Sequence, residues 1–272
     1  MKRVISIAIL AGALCAATTH AQTASGNRAT VPWSDPSKPG LVKVNIGNGS
    51  ITVKTHAGKD VIVESTRANR RGRTRTPDRN VDGLTLISGS GAGFAVEEAN
   101  NVLTVSAGFF GDSGNIDIQV PVKTNLNLST MHGNVISVDG VEGDIEVKNM
   151  NGDMRFVNVS GSVVASAQNG NVLATIRDVA SIKPMSFVTF HGNIDVTLNP
   201  AAKASLRLST DHGDVWSGFE IKMAPGAVPT FESSRGGSRI SFDRTQSGTI
   251  NGGGTPIELR TFHGNIYVRK GN

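Results

Sequence analysis

Four histidines, His132, His191, His212 and His263, occupy the same place in one recurring phrase, apolar-x-apolar-x-Thr-x-His-Gly-Asn/Asp-Val/Ile. The copies run over Leu126–Val135, Met185–Ile194, Leu206–Val215 and Ile257–Ile266. If the copies stack, imidazoles repeat every 4.8 Å or about that, and such a column has the ligand type to bind a transition metal. No cysteine or carboxylate accompanies the histidines at metal-ligand spacing. Asn151 and Asn169 stand at the same place in weaker copies. The position therefore reads as a turn residue, paired with Gly133, Gly192, Gly213 and Gly264, and neither metal nor cofactor is expected.

The other candidates for chemistry are charged. Arg67, Arg70, Arg71, Arg73, Arg75 and Arg79 form the one dense basic cluster. Guanidinium groups at that density can grip phosphates or carboxylates of an envelope glycan or lipid, and a solvated loop is the plainer reading. No aromatic residue interleaves to stack on bases, so nucleic acid is not an expected partner. Asp144, Asp153 and Asp214 are the carboxylates placed most like those of a polysaccharide-cleaving β-helix. Each occupies a turn position that other copies fill with Asn or Ser, an interchange that catalysis does not tolerate. No Ser-His-Asp order, phosphate loop or calcium repeat is present, and no catalytic residue is expected. Phe109 and Phe110, between Gly108 and Gly111, read as core plugs, with a partner contact as the alternative.

The elements that carry these residues are short strands. Apolar residues alternate in Ile116-Asp117-Ile118-Gln119-Val120, Ile145-Glu146-Val147 and Ile194-Asp195-Val196-Thr197-Leu198, which lines one face of a half-buried strand. Glycine supplies the turns, and Asn or Asp after it can close a turn through its side chain. Weaker copies at Gly143, Gly152, Gly161 and Gly170 keep a spacing of nine or ten residues from Gly133 onward, with Gly49 and Gly114 upstream. Sandwich, propeller and solenoid all use strands of this length. The shared register of the strong copies, the scarcity of aromatics and the Val/Ile/Leu interior favour an all-β β-solenoid, or β-helix-like stack, with almost no helix; a propeller would show a period of about 40 residues.

Residues 1–21 read as a signal peptide, with Lys2 and Arg3 ahead of an apolar run and small residues near Ala21. Cys15 follows Leu14 rather than a small residue, which argues against a lipid anchor. The mature chain then has no cysteine and no transmembrane helix, and its stability rests on burial and hydrogen bonding. Two of the positive charges behind the net +5 belong to Lys2 and Arg3, leaving a mild +3. Residues 22–40 read as an irregular lead-in with Trp33 over the first strands, and 41–272 as one β-strand-repeat domain. Ala224–Gly237 reads as a loop or hairpin insertion, and Gly252-Gly253-Gly254 as a place of close backbone approach.

Ile116–Pro121, Leu126–Val135, the Gly-Asp and Gly-Asn turns through Val172, and Gly248–Val268 together resemble the bacterial putative-adhesin β-strand-repeat family, a domain of unknown function. The resemblance implies a β-solenoid-like body, export to the envelope, an adhesive or scaffolding role and no established catalytic residue. The expected protein is thus exported, to the periplasm, cell surface or medium, and binds an envelope glycan or protein surface without turnover. A polysaccharide lyase or hydrolase on a similar body is the second reading. The third is a self-assembling envelope filament whose terminal rungs associate.

Overall fold

Alternating burial runs through nearly every strand: Leu126, Leu128 and Thr130 are buried while Asn127 and Ser129 face outward, and across the turn Ile136 and Val138 are buried in the same way. A strand buried on one face needs a second apolar face opposite, and the turn supplies it from the same repeat. Each repeat therefore folds into a rung of two strands lying face to face.

The computed structural model describes residues 23–25, 28–66, 94–107, 114–179, 183–225, 230–234, 237–241 and 245–271. The expected signal peptide, the whole arginine cluster from Arg67 to Arg79, and Phe109 and Phe110 lie outside these residues. In chain order the strands are β1 (Thr23–Ser25), β2 (Arg28–Val31), β3 (Gly40–Asn48), β4 (Ile51–His56), β5 (Val61–Thr66), β6 (Phe94–Ala99), β7 (Val102–Ala107), β8 (Asn115–Pro121), β9 (Thr124–His132), β10 (Val135–Asp139), β11 (Ile145–Asn151) and β12 (Asp153–Ser160). They continue with β13 (Val163–Asn169), β14 (Val172–Asp178), β15 (Met185–His191), β16 (Ile194–Leu198), β17 (Ala204–His212), β18 (Val215–Ser217), β19 (Lys222–Met223), β20 (Thr230–Ser234), β21 (Gly237–Ser241), β22 (Gln246–Ile250), β23 (Thr255–His263) and β24 (Ile266–Lys270).

These build two long sheets whose central strands are all parallel. The front sheet runs β6-β7-β3-β9-β11-β13-β15-β23-β17-β22-β19 and the back sheet β1-β2-β5-β8-β4-β10-β12-β14-β16-β24-β18. The expected all-β, solenoid-like architecture holds, and no helix occurs among the described residues. Two departures from a simple stack stand out. Rung β3/β4 sits between β7/β8 and β9/β10, and rung β23/β24, the last in the chain, sits between β15/β16 and β17/β18. The repeats are thus not stacked in the order they are read, because pairing selects matching faces rather than sequence neighbours.

Antiparallel strands finish most of the edges: β6 beyond β7, β5 with β2 and β1 beyond β8, and β22 with β19 beyond β17. The lead-in at 22–40, expected to be irregular, contains β1 and β2. Ala29 and Val31 alternate with polar residues there, and β2 pairs antiparallel with β5. Trp33 is buried in the core with its ring against Gly40, as expected of a residue packed over the first strands. The insertion after Ala224 is a hairpin, β20 paired with β21.

One continuous apolar core lies between the sheets. It is mostly Val, Ile and Leu, with an edge-to-face pair, Phe156 and Phe187, at 6.3 Å between ring centres. Aromatic bulk is therefore admitted at the middle of the array, where each ring has an alanine beside it in its own sheet, Ala165 next to Phe187 and Ala174 next to Phe156.

Candidate functional site

From β13 to β18 the repeated Thr-x-His-Gly-Asn phrase forms ladders that bond one rung to the next, whereas the Thr130 hydroxyl of the first strong copy is buried without a hydrogen-bond partner among the described residues. The threonine hydroxyl, buried at Thr189 and Thr261 and half-buried at Thr210, donates to the preceding rung's glycine carbonyl: Thr189 to Gly170, Thr261 to Gly192 and Thr210 to Gly264, each at 2.9 Å. That carbonyl fills the space a Cβ would take on the next glycine, so Gly170, Gly192, Gly264 and Gly213 stack with no room for a side chain. The residue after glycine accepts from the following rung. Asp153 Oδ1 takes the N–H of Asn171 (2.8 Å), Asn171 Oδ1 that of Asn193 (2.9 Å), Asn193 Oδ1 that of Asn265 and Asn265 Oδ1 that of Asp214 (both 2.8 Å).

This corrects the expectation that Asn or Asp closes its own turn. The side chain instead bonds across rungs, because neighbouring turns lie one strand spacing apart and its acceptor reaches the next N–H. Only one oxygen is used, which is why Asp and Asn interchange. Asp153 is such a rung residue, and Asp144 pairs with Lys183 at 2.6 Å on the surface. Structural bonding accounts for both.

The histidines complete the turn on its open side. His191, His263 and His212 stack in that order, with ring centres 4.9 and 4.5 Å apart and interplanar angles of 4° and 16°. The expected column of four is three plus one. His132 lies three rungs further down, separated by Asn151 and Asn169, which are hydrogen-bonded to each other at 2.9 Å. Stacked rings hold their nitrogens in parallel planes rather than turned toward a common point. No three His, Cys, Asp or Glu side chains among the described residues are grouped to hold a metal ion.

Beside this column runs another that the sequence reading passed over, formed by the residue between Thr and His. Phe190 and Phe262 stack at 4.8 Å with an interplanar angle of 4°, and each meets its own histidine edge-to-face at 4.6 Å. Beyond the exposed Gln168 of β13, which interrupts it, the line resumes with Met150 and Met131 on β11 and β9, both exposed, and Phe190 is 46% exposed. The clue was present in the aligned copies: an outward position filled by Met, Phe and Phe in three of the four strong copies, with Asp211 in the fourth, breaks the polar-outward rule of a half-buried strand. The result is a flat ledge of apolar side chains and imidazoles on the rim of the front sheet, held in register by the ladders beneath.

The middle imidazole reports how crowded the ledge is. His263 has an open edge, yet stacking on both faces strips water from it. That desolvation first, and the like charges of His212 and His191 second, hold its pKa below the ordinary histidine value of 6.5, with Asp211 acting in the opposite sense. The unfolded chain therefore takes up the proton more readily than the folded one, and stability falls as pH drops through 6.5. It levels off once the folded ring is protonated as well. Thermal melts at pH 7.5 and 5.5 check this: the acid-induced drop in Tm should be smaller in His263→Asn, which copies the Asn already found at this position in β11 and β13.

No curated protein matches the chain. Two solved structures are similar in shape: one described as a putative cell adhesion protein from Clostridium sporogenes, with 10% identity, a TM-score of 0.42, and coverage of 90% of this chain and 99% of that one. The other, described as a putative adhesin from Bacteroides fragilis, has 15% identity, a TM-score of 0.27, and coverage of 90% and 98%. The repeat style that resembled an adhesin-like family of unknown function is matched directly by the family model described as Toastrack DUF4097, which spans residues 30–269, and the chain belongs to that family.

Proposed function

We propose that this is an exported, non-enzymatic binding protein that uses the front rim of its array as a rigid ledge for an envelope glycan or protein surface. The observation that carries the reading is the rim formed by the exposed Met131, Met150 and Phe190 and the half-buried Phe262 stacked on Phe190, interrupted only by Gln168 among the described rungs β9 to β23 and backed by threonine and glycine ladders. Apolar side chains in a fixed row cost solvation unless covered, and a row already held rigid loses little conformational freedom on binding. Many shallow contacts suit adhesion or scaffolding better than turnover. Two of the three turn carboxylates are occupied, Asp153 as a rung acceptor and Asp144 in a surface ion pair, which supports binding over polysaccharide cleavage.

Export rests on residues 1–21, and the arginine cluster at 67–79 adds a cationic contact for anionic polymer. The short outermost strands β1, β18 and β19, and the acidic edge strand β6 with Glu97 and Glu98, count against filament growth.

Immobilised envelope glycans and envelope proteins provide the test. The mature chain should bind without releasing reducing ends or unsaturated sugars. Phe190→Ser with Phe262→Ser should weaken binding about tenfold or more, the loss of a central aromatic anchor, while leaving the fold intact. An Arg70→Ala, Arg71→Ala, Arg73→Ala triple change should weaken binding in a way that added salt mimics. Unchanged affinity in the double Phe variant, or turnover of the glycan, overturns the reading, and cell fractionation checks the address.

A further inference from the structure

The edge opposite the histidine turns, where β3 and β9 begin and β4 and β8 end, brings three loops together. Each is held by side-chain hydrogen bonds of its own. In the first, residues 32–39, Asp35 Oδ1 accepts the N–H of Ser37 at 3.1 Å and the Asp35 carbonyl accepts that of Lys38 at 3.2 Å. Asn101, from the turn between β6 and β7, fixes this loop from outside. Its Oδ1 accepts the Asp35 N–H at 2.6 Å and its Nδ2 donates to the Asp35 carbonyl at 2.7 Å. In the second, residues 57–60, the His56 ring spans the loop, Nδ1 accepting from the Gly58 N–H at 3.1 Å and Nε2 donating to the Asp60 carbonyl at 2.7 Å. Both bonds fit one neutral tautomer. In the third, between β8 and β9, the buried Thr124 hydroxyl donates to the Pro121 carbonyl at 2.6 Å, and the Val122 carbonyl accepts from the Glu142 N–H at 2.8 Å.

The three loops present one lysine each, Lys38, Lys59 and Lys123, to a common cleft of about 180 Å³. Its apolar lining comes from the buried Trp33 and from Pro36, Pro39 and Pro121, and among the described residues no carboxylate lines it. Lys38 is already engaged. Its ammonium pairs with Asp35 at 2.8 Å, and that bond, with those from Ser37 behind it, holds the Asp35 pKa at about 2, so the pair stays ionised. Lys59 and Lys123 are exposed and make no ion pair with a described residue. The cleft therefore gathers two positive charges that no described carboxylate answers.

Two like charges drawn to one cleft oppose each other, and an oxyanion between them turns that repulsion into attraction. Lysine acts there as a point charge rather than a fork, which suits phosphate and carboxylate alike. Loops already closed by their own bonds lose little conformational freedom when a ligand enters. The volume lies below the roughly 300–1,000 Å³ of sites for drug-sized ligands and takes a single sugar-sized unit.

We infer that this cleft binds one anionic unit, a sugar bearing a phosphate or a carboxylate, with Lys59 and Lys123 on the oxyanion and the proline walls against the ring. The site lies at the opposite end of β9 from the rim, roughly 25 Å away along the nine-residue strand. It does not depend on the front-rim reading, and either can fail without the other.

Trp33 makes the site readable. The chain has two tryptophans, so in a Trp216→Phe background the tryptophan emission of the mature chain comes from Trp33. Glucose 1-phosphate, glucuronate and uncharged glucose are the probes, each titrated at low salt. A saturable one-to-one change with at least one of the two anions, and none with glucose, is expected, and the anion that binds tells phosphate from carboxylate. Lys59→Ala with Lys123→Ala should weaken that binding about tenfold and remove most of its salt dependence. Both lysines are exposed, so this variant should melt with its parent. Lys43→Ala with Lys222→Ala, the same loss of charge at exposed positions elsewhere, should leave binding unchanged. The inference is overturned if neither anion binds, if glucose binds as well as they do, or if calorimetry finds binding that leaves Trp33 emission unaltered. It is equally overturned if the two alanine pairs weaken binding to the same extent.

Discussion

Removing Thr255–Asn272 is expected to unravel the whole β17 end of the array, not to shorten it by one rung. In a solenoid stacked in chain order, the last rung touches one neighbour and its loss is local. Here β23 lies between β15 and β17, and β24 between β16 and β18. Without them β17 faces β15 across a gap of two strand spacings, about 9.6 Å, and every ladder is cut at Gly192. The lost core includes Ile257, Leu259, Ile266 and Val268, all at most 1% exposed. At about 1.5–3 kcal/mol for each such side chain, the four account for about 6–12 kcal/mol as an upper bound, comparable to the net stability of a whole domain. Limited proteolysis should then cut within 204–250, in strands protected in the full chain, and hydrogen exchange should show β17 and β22 open together. A truncated chain that keeps β17 protected would mean that β17 re-pairs directly with β15.

Placing a side chain on the glycine ladder should come next in severity. A Cβ on Gly192 would overlap the carbonyl of Gly170, a backbone atom with its own bonds to hold, and the local φ of +147° is one that L residues rarely adopt. Strain and overlap act together, so Gly192→Ala should cost about 3–5 kcal/mol, at the upper end of single substitutions. Gly252 provides the control. Its φ of +86° carries strain, but a Cβ there meets nothing within 4 Å, so Gly252→Ala should cost about 1–2 kcal/mol, the left-handed penalty alone. Urea unfolding of the two variants separates the contributions. Equal losses would show that conformational strain, and not the stacked carbonyl, keeps glycine in the ladder.

How much was readable in advance depends on the range of the interaction. Alternation in Ile145-Glu146-Val147 and the glycine at each turn are local, and both carried through to strands and turns where they were expected. The equivalence of His191 with Asn151 and Asn169 was also visible from alignment alone, and register pairs these positions on neighbouring rungs. The role of Asn171 and Asn193 was misread as turn closure, since the bond partner is 22 residues away and no local pattern points to it. The ledge of Phe190 and Phe262 lay hidden for the same reason. Those residues are 72 positions apart and become one surface only when β23 slots in beside β15.

The amino-acid sequence by itself determined that this chain is all-β, built of short strands with glycine turns, with its aliphatic residues on one face of each strand. Those properties follow from backbone sterics and a two-residue side-chain period, which act within a few residues. Tertiary structure alone decided which rung lies beside which, that the chain's last rung is an interior one, and that three of the four histidines form a stack. Near-identical repeats offer near-identical edges to one another, so local pattern cannot rank the pairings. Their order is settled by the fit of whole faces, the joining segments and the capping strands at each end.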